Sequence, residues 1–497
     1  MKVCILTEGG ERVGFGHIAR CTSIYQAFEE VGIRPELIVN GDETIRGFVE
    51  DKNSRIFDWL SDQETLFAVL GDTDIVFVDS YLADYELYEK ISDIARIGVY
   101  FDDNMRIEYP KGFVVNGTIF AERMPYPERD GVRYLLGSRY TPLKKEFWDV
   151  PEKPIRPILE TAMITFGGAD IHNLTPKVLK LLRNTYPRLF KKVIVGSGFR
   201  NVAEIEKLKD KNTELIYCQG ATEMKKVMLE SDVAISAGGQ TLYELARVGV
   251  PTIAVAVADN QSANVRGWQE VGFAEYAGDG ANGELAEKIS CKIELMKDSN
   301  ARECKSKLGR KIIDGAGSSR IVRDVLSDFH KKQFVLRRAM LADAEDLFNL
   351  TNEDTVRLNS FSQGKIKWAE HTRWLNEKLS SGNCVFLIVD YSGEFAGQVR
   401  FDVVPAQCPL REPQSEAVIN ISLCRSIRGL GLSAFVINKS IEELLRVRKD
   451  VRLIKAYVKD GNIASVKVFE RAGFRFLEDT MFNECKTKVY ERNVGNG

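Results

Sequence analysis

A short apolar run, Val3-Cys4-Ile5-Leu6-Thr7, passes through a polar link into Gly14-Phe15-Gly16-His17-Ile18-Ala19-Arg20, and a helix-like segment follows from Cys21 to Val31. Strand, glycine loop and helix in that order form an anion-binding device. The glycines let backbone approach a ligand, and the free N–H groups of a helix start face it. His17 stands where the loop becomes the helix, and the chain has only four histidines. Such a histidine reads either as a base or acid beside a phosphorylated ligand, or as a helix-start side chain bonded to backbone.

The same alternation continues. Residues 1–145 carry strand patterns such as Ile75–Val78 and Ile97–Phe101, with helical stretches such as Glu64–Leu70 and Tyr85–Ile94 between them. This predicts an α/β lobe with a parallel sheet and ligands at the carboxyl ends of its strands. Asp79-Ser80-Tyr81 and Asp102-Asp103 each follow a strand, so they fall on the same edge as Gly14 and His17. Pro142, Pro151, Pro154 and Pro157 read as a linker, and a second alternating lobe spans 155–326. In it the strand Ala162–Phe166 leads into Gly167-Gly168-Ala169-Asp170. Val233–Ser236 leads into Ala237-Gly238-Gly239-Gln240-Thr241, and Thr252–Val257 into Asp259-Asn260-Gln261. The glycine pairs suit phosphate or ribose, and Glu244, one helical turn beyond Thr241, suits ribose hydroxyls. Each is also an ordinary turn feature when taken singly. No Gly-x-x-x-x-Gly-Lys-Ser/Thr loop occurs, so ordinary ATPase chemistry is not indicated. The cleft between the lobes is the expected ligand site.

A third pattern occupies 334–493: a strand from Phe334, helical runs Asp343–Asn352 and Trp368–Leu379, and an antiparallel pair Val385–Asp390 and Phe395–Val403. The strand Ala417–Leu423 then runs into Arg428-Gly429-Leu430-Gly431-Leu432-Ser433 at the start of a helix, another turn suited to a pyrophosphate. With 497 residues, two or three domains are expected. The formal net charge of −2 gives no overall pull toward nucleic acid or an anionic membrane. Nine cysteines lie scattered without a C-x-x-C pair, which argues against a metal site or a disulfide framework and fits a reducing cytoplasm. No apolar run approaches the roughly 20 residues needed to span a bilayer.

Together, Gly14-Phe15-Gly16-His17-x-x-Arg20, Asp79-x-Tyr81, Asp102-Asp103, Phe166-Gly167-Gly168-Ala169-Asp170, Ser236-Ala237-Gly238-Gly239-x-Thr241-x-x-Glu244 and Asn260-Gln261 resemble the UDP-sugar hydrolases of the pseudaminic acid pathway and of spore coat polysaccharide synthesis. Their fold is similar to that of the GT-B glycosyltransferases that make lipid II. The resemblance implies two Rossmann-like lobes that remove UDP from UDP-2,4-diacetamido-2,4,6-trideoxy-β-L-altropyranose. Water attacks the anomeric carbon with inversion, and no metal takes part. His17 would orient or deprotonate that water, or act on charge near the leaving diphosphate, and Tyr81 and Asn260 would hold the sugar or the water. Gly14, Gly16, Arg20, Gly167, Gly168, Asp170, Gly238, Gly239, Thr241, Glu244 and Gln261 would hold substrate and UDP.

The Arg428–Ser433 loop, with Asn462-x-x-Ser465-x-x-x-Phe469-x-x-x-Gly473-Phe474 downstream, resembles the GNAT N-acetyltransferases, in which such a loop holds the acetyl-CoA pyrophosphate. That resemblance puts Leu423, Arg428, Gly429, Gly431, Ser433, Asn462 and Ser465 on acetyl-CoA. Many relatives carry a tyrosine acid where this chain has Phe469, which cannot give a proton. The acid is then Asn462, Ser465, a water or no side chain. Glu416 and Ser422 are candidates for steering the proton of the amine, or else an edge charge and a strand-end hydroxyl. The segment from Arg357 to Leu375 is similar to acetyltransferases of 4-amino-4,6-dideoxy nucleotide sugars, with His371 reading as structural. The joint expectation is a bifunctional enzyme acting on a UDP-amino sugar with acetyl-CoA as cosubstrate, oligomeric state left open. Three alternatives stand: a true GT-B glycosyltransferase, a hydrolase for a related nonulosonic acid precursor, and a nucleotide-sugar binding module that feeds the acetyltransferase.

Overall fold

In the first lobe the central strand segments are mostly apolar rather than alternating, and they are buried on both faces. Val3–Gly9 and Ile75–Asp79 expose no residue, as expected of a parallel sheet covered by helices. A computed structural model describes residues 1–10, 13–196, 198–217, 220–280, 283–405 and 415–494. The chain forms two units, Met1–Val325 and Leu326–Gly497.

The first unit holds two parallel sheets. Among the described residues the first has seven strands, in the order Ser54–Ile56, Glu36–Gly41, Val3–Gly9, Ile75–Asp79, Ile97–Phe101, Gly112–Asn116 and Val132–Leu136. The second has six, in the order Thr213–Ile216, Phe190–Ile194, Thr161–Thr165, Val233–Ala237, Thr252–Ala256 and Ala274–Asp279. In each sheet the strand order reverses beside the lobe's first strand. The carboxyl ends at that reversal form the crevice where such sheets take ligands. Gly9 and Asp79 end the two strands at the first crevice, and Phe166 and Gly238 follow the two at the second.

One boundary differs from the expectation. The first helix runs Gly16–Glu30 and does not wait for Cys21. Gly14 takes a left-handed φ of +87° and pairs with Gly10 through N–H···O bonds of 2.8 and 3.1 Å. The chain is thus turned back early enough for the helix to begin at Gly16, which places His17 and Arg20 in its first turns.

The second unit carries a seven-stranded sheet in the order Phe334–Arg338, Cys384–Tyr391, Glu394–Pro405, Ser415–Leu423, Val451–Lys459, Cys485–Asn493 and Arg475–Phe482. Neighbours are antiparallel except Ser415–Leu423 and Val451–Lys459, which run parallel. The helices Ser433–Val447 and Ile463–Arg471 bury Val436, Ile437, Leu444 and Phe469 against one face of that sheet. No helix among the described residues is long and apolar enough to cross a membrane.

Candidate functional site

At the first crevice, His17 and Asp79 are buried together, Asp79 with no exposed surface. His17 Nδ1 lies 2.7 Å from Asp79 Oδ1. Arg20 grips the same carboxylate with two donors, Nε to Oδ2 and a terminal nitrogen to Oδ1, both at 2.7 Å. Its other terminal nitrogen donates to Asp103 at 2.7 Å, and Tyr81 Oη donates to the second oxygen of Asp103 at 2.6 Å. The Tyr81 ring returns edge-on to the His17 ring, with centroids 4.5 Å apart. Below it, the buried Glu8 accepts from Ser80 Oγ at 2.6 Å and from the Tyr81 N–H at 2.8 Å, fixing the turn that carries Tyr81. His17, Asp79, Arg20, Asp103 and Tyr81 thus form a closed circuit.

The electrostatics assign the protons. Burial pushes Asp79 toward its neutral form, but the Arg20 and His17 charges and hydrogen bonds overcome it and hold the carboxyl well below the usual range. An ionised Asp79 only accepts, so His17 Nδ1 carries the hydrogen, and Nε2 is the basic nitrogen, with no hydrogen-bond partner among the described residues. Burial favours neutral imidazole, yet the charge and hydrogen bond of Asp79 outweigh it, and the His17 pKa rises above 6.5. Burial and the Asp103 charge also push the Tyr81 phenol up, so it stays a donor.

At the second crevice, Gly238 N–H is held by Val255 O at 3.0 Å and by Gln261 Oε1 at 3.1 Å. Gly238 O accepts from Asn264 Nδ2 at 2.7 Å, and Asn264 Oδ1 accepts from Tyr243 Oη at 2.5 Å. Tyr243 Oη in turn accepts from the Ile119 N–H of the first lobe at 3.2 Å, so a buried chain of hydrogen bonds crosses between the lobes. Thr241 and Glu244 lie half-buried in the first turn of the helix Thr241–Val248. Glu244 has no hydrogen-bond or ion-pair partner among the described residues. Burial is the main cause that pushes it up to about 7, with the Lys144 charge opposing and the Glu146 charge adding. Gly167, with φ +80°, and Gly168 leave open space where a Cβ would sit.

Several residues expected on the ligand turn inward instead. All three guanidinium nitrogens of Arg20 are taken by Asp79 and Asp103, so it braces the site. Asp170 spends both oxygens, at 2.8 Å each, on the Leu174 and Thr175 N–H groups and caps a helix. Gln261 Oε1 is occupied by the Gly238 and Val257 N–H groups. The Gly14 N–H is bonded to Gly10 O, while Gly16 opens the His17 helix. Asn260 lies on the helix Asp259–Glu270, and its side chain falls outside the described residues. Sequence reasoning placed Asp79 and Asp103 on the ligand edge without a role and missed Glu8. The signal for Asp79 was an acid closing a strand of five buried residues.

In the second unit, Ser415–Leu423 and Val451–Lys459 pair only as far as Val418 and Lys455, yet both strands continue. Beyond that point the strands part, leaving a row of backbone groups open to an extended ligand. The loop after Leu423 carries Gly429 and Gly431 at φ +90° and +74° and ends at Ser433, the first residue of a helix whose start has no side-chain cap. The Arg428 side chain turns away from this loop. It donates to Leu423 O at 2.7 Å, Glu353 at 2.7 Å and Thr355 Oγ1 at 2.8 Å. Asn462 Oδ1 accepts from the Ser465 N–H at 3.1 Å and caps the last helix. Phe469 is buried against Phe474, with ring centroids 5.2 Å apart. Glu416 pairs with Lys455 at 2.7 Å. His371 is buried among the rings of Phe348, Trp368 and Trp374, with Nε2 3.1 Å from Ala344 O. No cluster of three or more His, Cys, Asp or Glu able to hold a metal ion occurs among the described residues.

Residues 161–313 match the model of the glycosyltransferase family 28 C-terminal domain, and residues 333–475 match that of the acetyltransferase (GNAT) domain. An uncharacterised protein of Methanocaldococcus jannaschii is 20% identical over 99% of this chain and 100% of its own length. The pseudaminic acid cytidylyltransferase and UDP-2,4-diacetamido-2,4,6-trideoxy-β-L-altropyranose hydrolase of Helicobacter pylori is 25% identical over 55% of this chain, which spans 48% of that protein. The spore coat polysaccharide biosynthesis protein SpsG of Bacillus subtilis is 22% identical over 67% of this chain and 100% of its own. Of solved structures, a spermidine N-acetyltransferase from Vibrio cholerae in complex with CoA and spermine is 16% identical, covering 33% of this chain and 96% of its own, with a TM-score of 0.29. The chain is an α/β protein in which two GT-B-like lobes precede a GNAT domain, and the resemblance carried by its motifs is matched by these relatives.

Proposed function

We propose that the chain is a bifunctional nucleotide-sugar enzyme of pseudaminic acid biosynthesis. In this reading the first unit hydrolyses UDP-2,4-diacetamido-2,4,6-trideoxy-β-L-altropyranose, and the second acetylates the 4-amino group of its precursor. The supporting observation is the open Nε2 of His17. The nitrogen belongs to a base whose proton, tautomer and ring plane are set by Asp79 and Tyr81, at the strand-order reversal of its sheet.

In the hydrolase, His17 Nε2 takes a proton from water as the water oxygen bonds to C1. The bond from C1 to the β-phosphate oxygen breaks on the opposite face, its electron pair stays with UDP, and C1 inverts. Tyr81 and Asn260 hold the sugar or the water. The open Gly167–Gly168 pair, Gly239 and the helix start at Thr241 meet the diphosphate, and Glu244, unpartnered among the described residues, accepts from the ribose hydroxyls. Arg20, Asp170 and Gln261 keep these parts in place. In the acetyltransferase, the parted strands offer backbone to the pantetheine arm of acetyl-CoA and the Gly429–Ser433 turn meets its pyrophosphate. Acetyl-CoA supplies an activated acetyl group for an amine. Buried Phe469 supplies no proton, which leaves that task to Ser465 or water.

The test is UDP release from the diacetamido sugar nucleotide, followed by phosphorus NMR. His17→Ala is expected to slow release by about 10²–10⁴-fold while UDP still binds. Unchanged release would remove His17 from the mechanism.

A further inference from the structure

Departure of a nucleoside diphosphate builds negative charge that a cation offsets, and the Arg20 guanidinium is already committed to two carboxylates. The segment Pro142–Lys145 supplies another. On one side, Gln240 Nε2, at the start of the Glu244 helix, donates to Pro142 O at 2.9 Å. On the other, the Lys145 N–H donates to Gln26 Oε1 at 3.0 Å, and Lys145 Nζ pairs with Glu30; both partners lie on the His17 helix. The segment is therefore pinned between the last turns of the His17 helix, where Gln26 and Glu30 lie, and the start of the Glu244 helix. Lys144 stands between those pins. It is half-buried, and its ammonium lies 5.4 Å from the centroid of the Phe48 ring. Phe48 stacks on Phe15, the residue between Gly14 and Gly16, with centroids 5.3 Å apart and planes 11° from parallel. Its charge also acts on Glu244. No carboxylate among the described residues lies within ion-pair distance of Lys144, whereas Lys145 next to it is paired with Glu30. Glu244, on which its charge acts, does not make that contact. A half-buried ammonium without a carboxylate, held over the Phe48 ring that stacks on the glycine loop and close enough for its charge to act on Glu244 of the second lobe, is placed for an anionic ligand.

We infer that Lys144 binds the diphosphate of the nucleotide sugar and meets the charge that builds on the leaving β-phosphate oxygen. This rests on the reading of the first unit as a UDP-sugar hydrolase. Lys144 completes a site in which the helix start supplies N–H groups and Lys144 the full positive charge. The Phe15–Phe48 stack ties its position to the loop that carries His17.

Calorimetric titration of the full chain with UDP, UMP and uridine tests this, using Lys144→Met and Lys144→Arg beside wild type. The expected result is a loss of UDP affinity of about 10- to 100-fold in Lys144→Met, with uridine binding unchanged. Lys144→Arg should restore most of the loss, and raised salt should weaken UDP binding in wild type more than in Lys144→Met. Equal UDP affinity in wild type and Lys144→Met would overturn the assignment while leaving the hydrolase reading intact. Failure of wild type to bind UDP at all would overturn both. A uniform loss for UDP and uridine, with a lowered melting temperature, would make Lys144 a structural residue and overturn its diphosphate role.

Discussion

His17 draws its chemistry from Asp79. An isolated buried imidazole would lose its proton early, and here the ionised partner at 2.7 Å reverses that tendency. A base must be neutral to act, so activity should fall as pH drops through the raised His17 value, and the acidic limb of kcat/KM should lie above pH 6.5. Asp79→Asn removes the charge but not the shape. The acidic limb should then move down in pH, and kcat should drop about 10²–10⁴-fold as the Nδ1–H tautomer is no longer imposed. A pH–rate profile of the two proteins decides this, and an unmoved limb would detach Asp79 from the base. Asp79→Ala is a different change. It strips the buried Arg20 of its bidentate partner and should cost about 3–5 kcal/mol in a denaturant titration. The depressed Asp79 pKa makes its stabilising contribution full above the ordinary carboxylate range and lost as pH falls through the folded-state value.

The glycine loops are where element geometry and ligand geometry separate. A Cβ on Gly238 would stand 2.3 Å from Val265 Cγ2, whereas one on Gly239 would meet only Gln261 Nε2, at 3.7 Å. Gly238→Ala should therefore lower stability by about 1–3 kcal/mol. Gly239→Ala should leave the melting temperature near that of wild type and weaken UDP binding, because only a ligand approaching the backbone feels the added methyl. Equal effects of both changes on stability would refute the distinction. The same separation explains what the sequence could and could not disclose. Apolar runs followed by glycine turns, Gly14 to Gly16 in the first lobe and the two glycine pairs in the second, located both crevices, since that pattern is local. His17 meeting Asp79 and Arg20 meeting Asp103 join residues 62 and 83 positions apart, and no spacing rule pairs them. Asp170, Gln261, Asn462 and Arg428 were legible as polar groups beside ligand turns. Asp170, Gln261 and Asn462 hold backbone N–H groups, and Arg428 holds Leu423 O with the side chains of Glu353 and Thr355, because capping a helix or bracing a loop uses the same side chains as binding a ligand does. The parted strands before Arg428 could not be seen at all, since pairing ends there without any change of residue type.

Over the whole molecule, the two proposed activities are linked by the charge on one sugar. As the bond from C1 to UDP breaks, positive charge develops on the ring. An unacetylated 4-amino group is an ammonium on that same ring and opposes this charge, whereas an acetamide is neutral. For charges about 5 Å apart at an effective dielectric of about 20, a full unit pair costs about 3 kcal/mol, and a partial ring charge costs correspondingly less. The chain should therefore release UDP from the amino sugar nucleotide at least about tenfold more slowly than from its acetylated form. Adding acetyl-CoA to the full chain with the amino substrate should produce the acetylated sugar nucleotide first and UDP after a lag, with both followed by NMR. A sample given the pre-acetylated substrate should show no lag and no need of acetyl-CoA. UDP release from the amino sugar at the same rate with and without acetyl-CoA would refute the order, because the charge on the ring would then be without consequence for the departure of UDP.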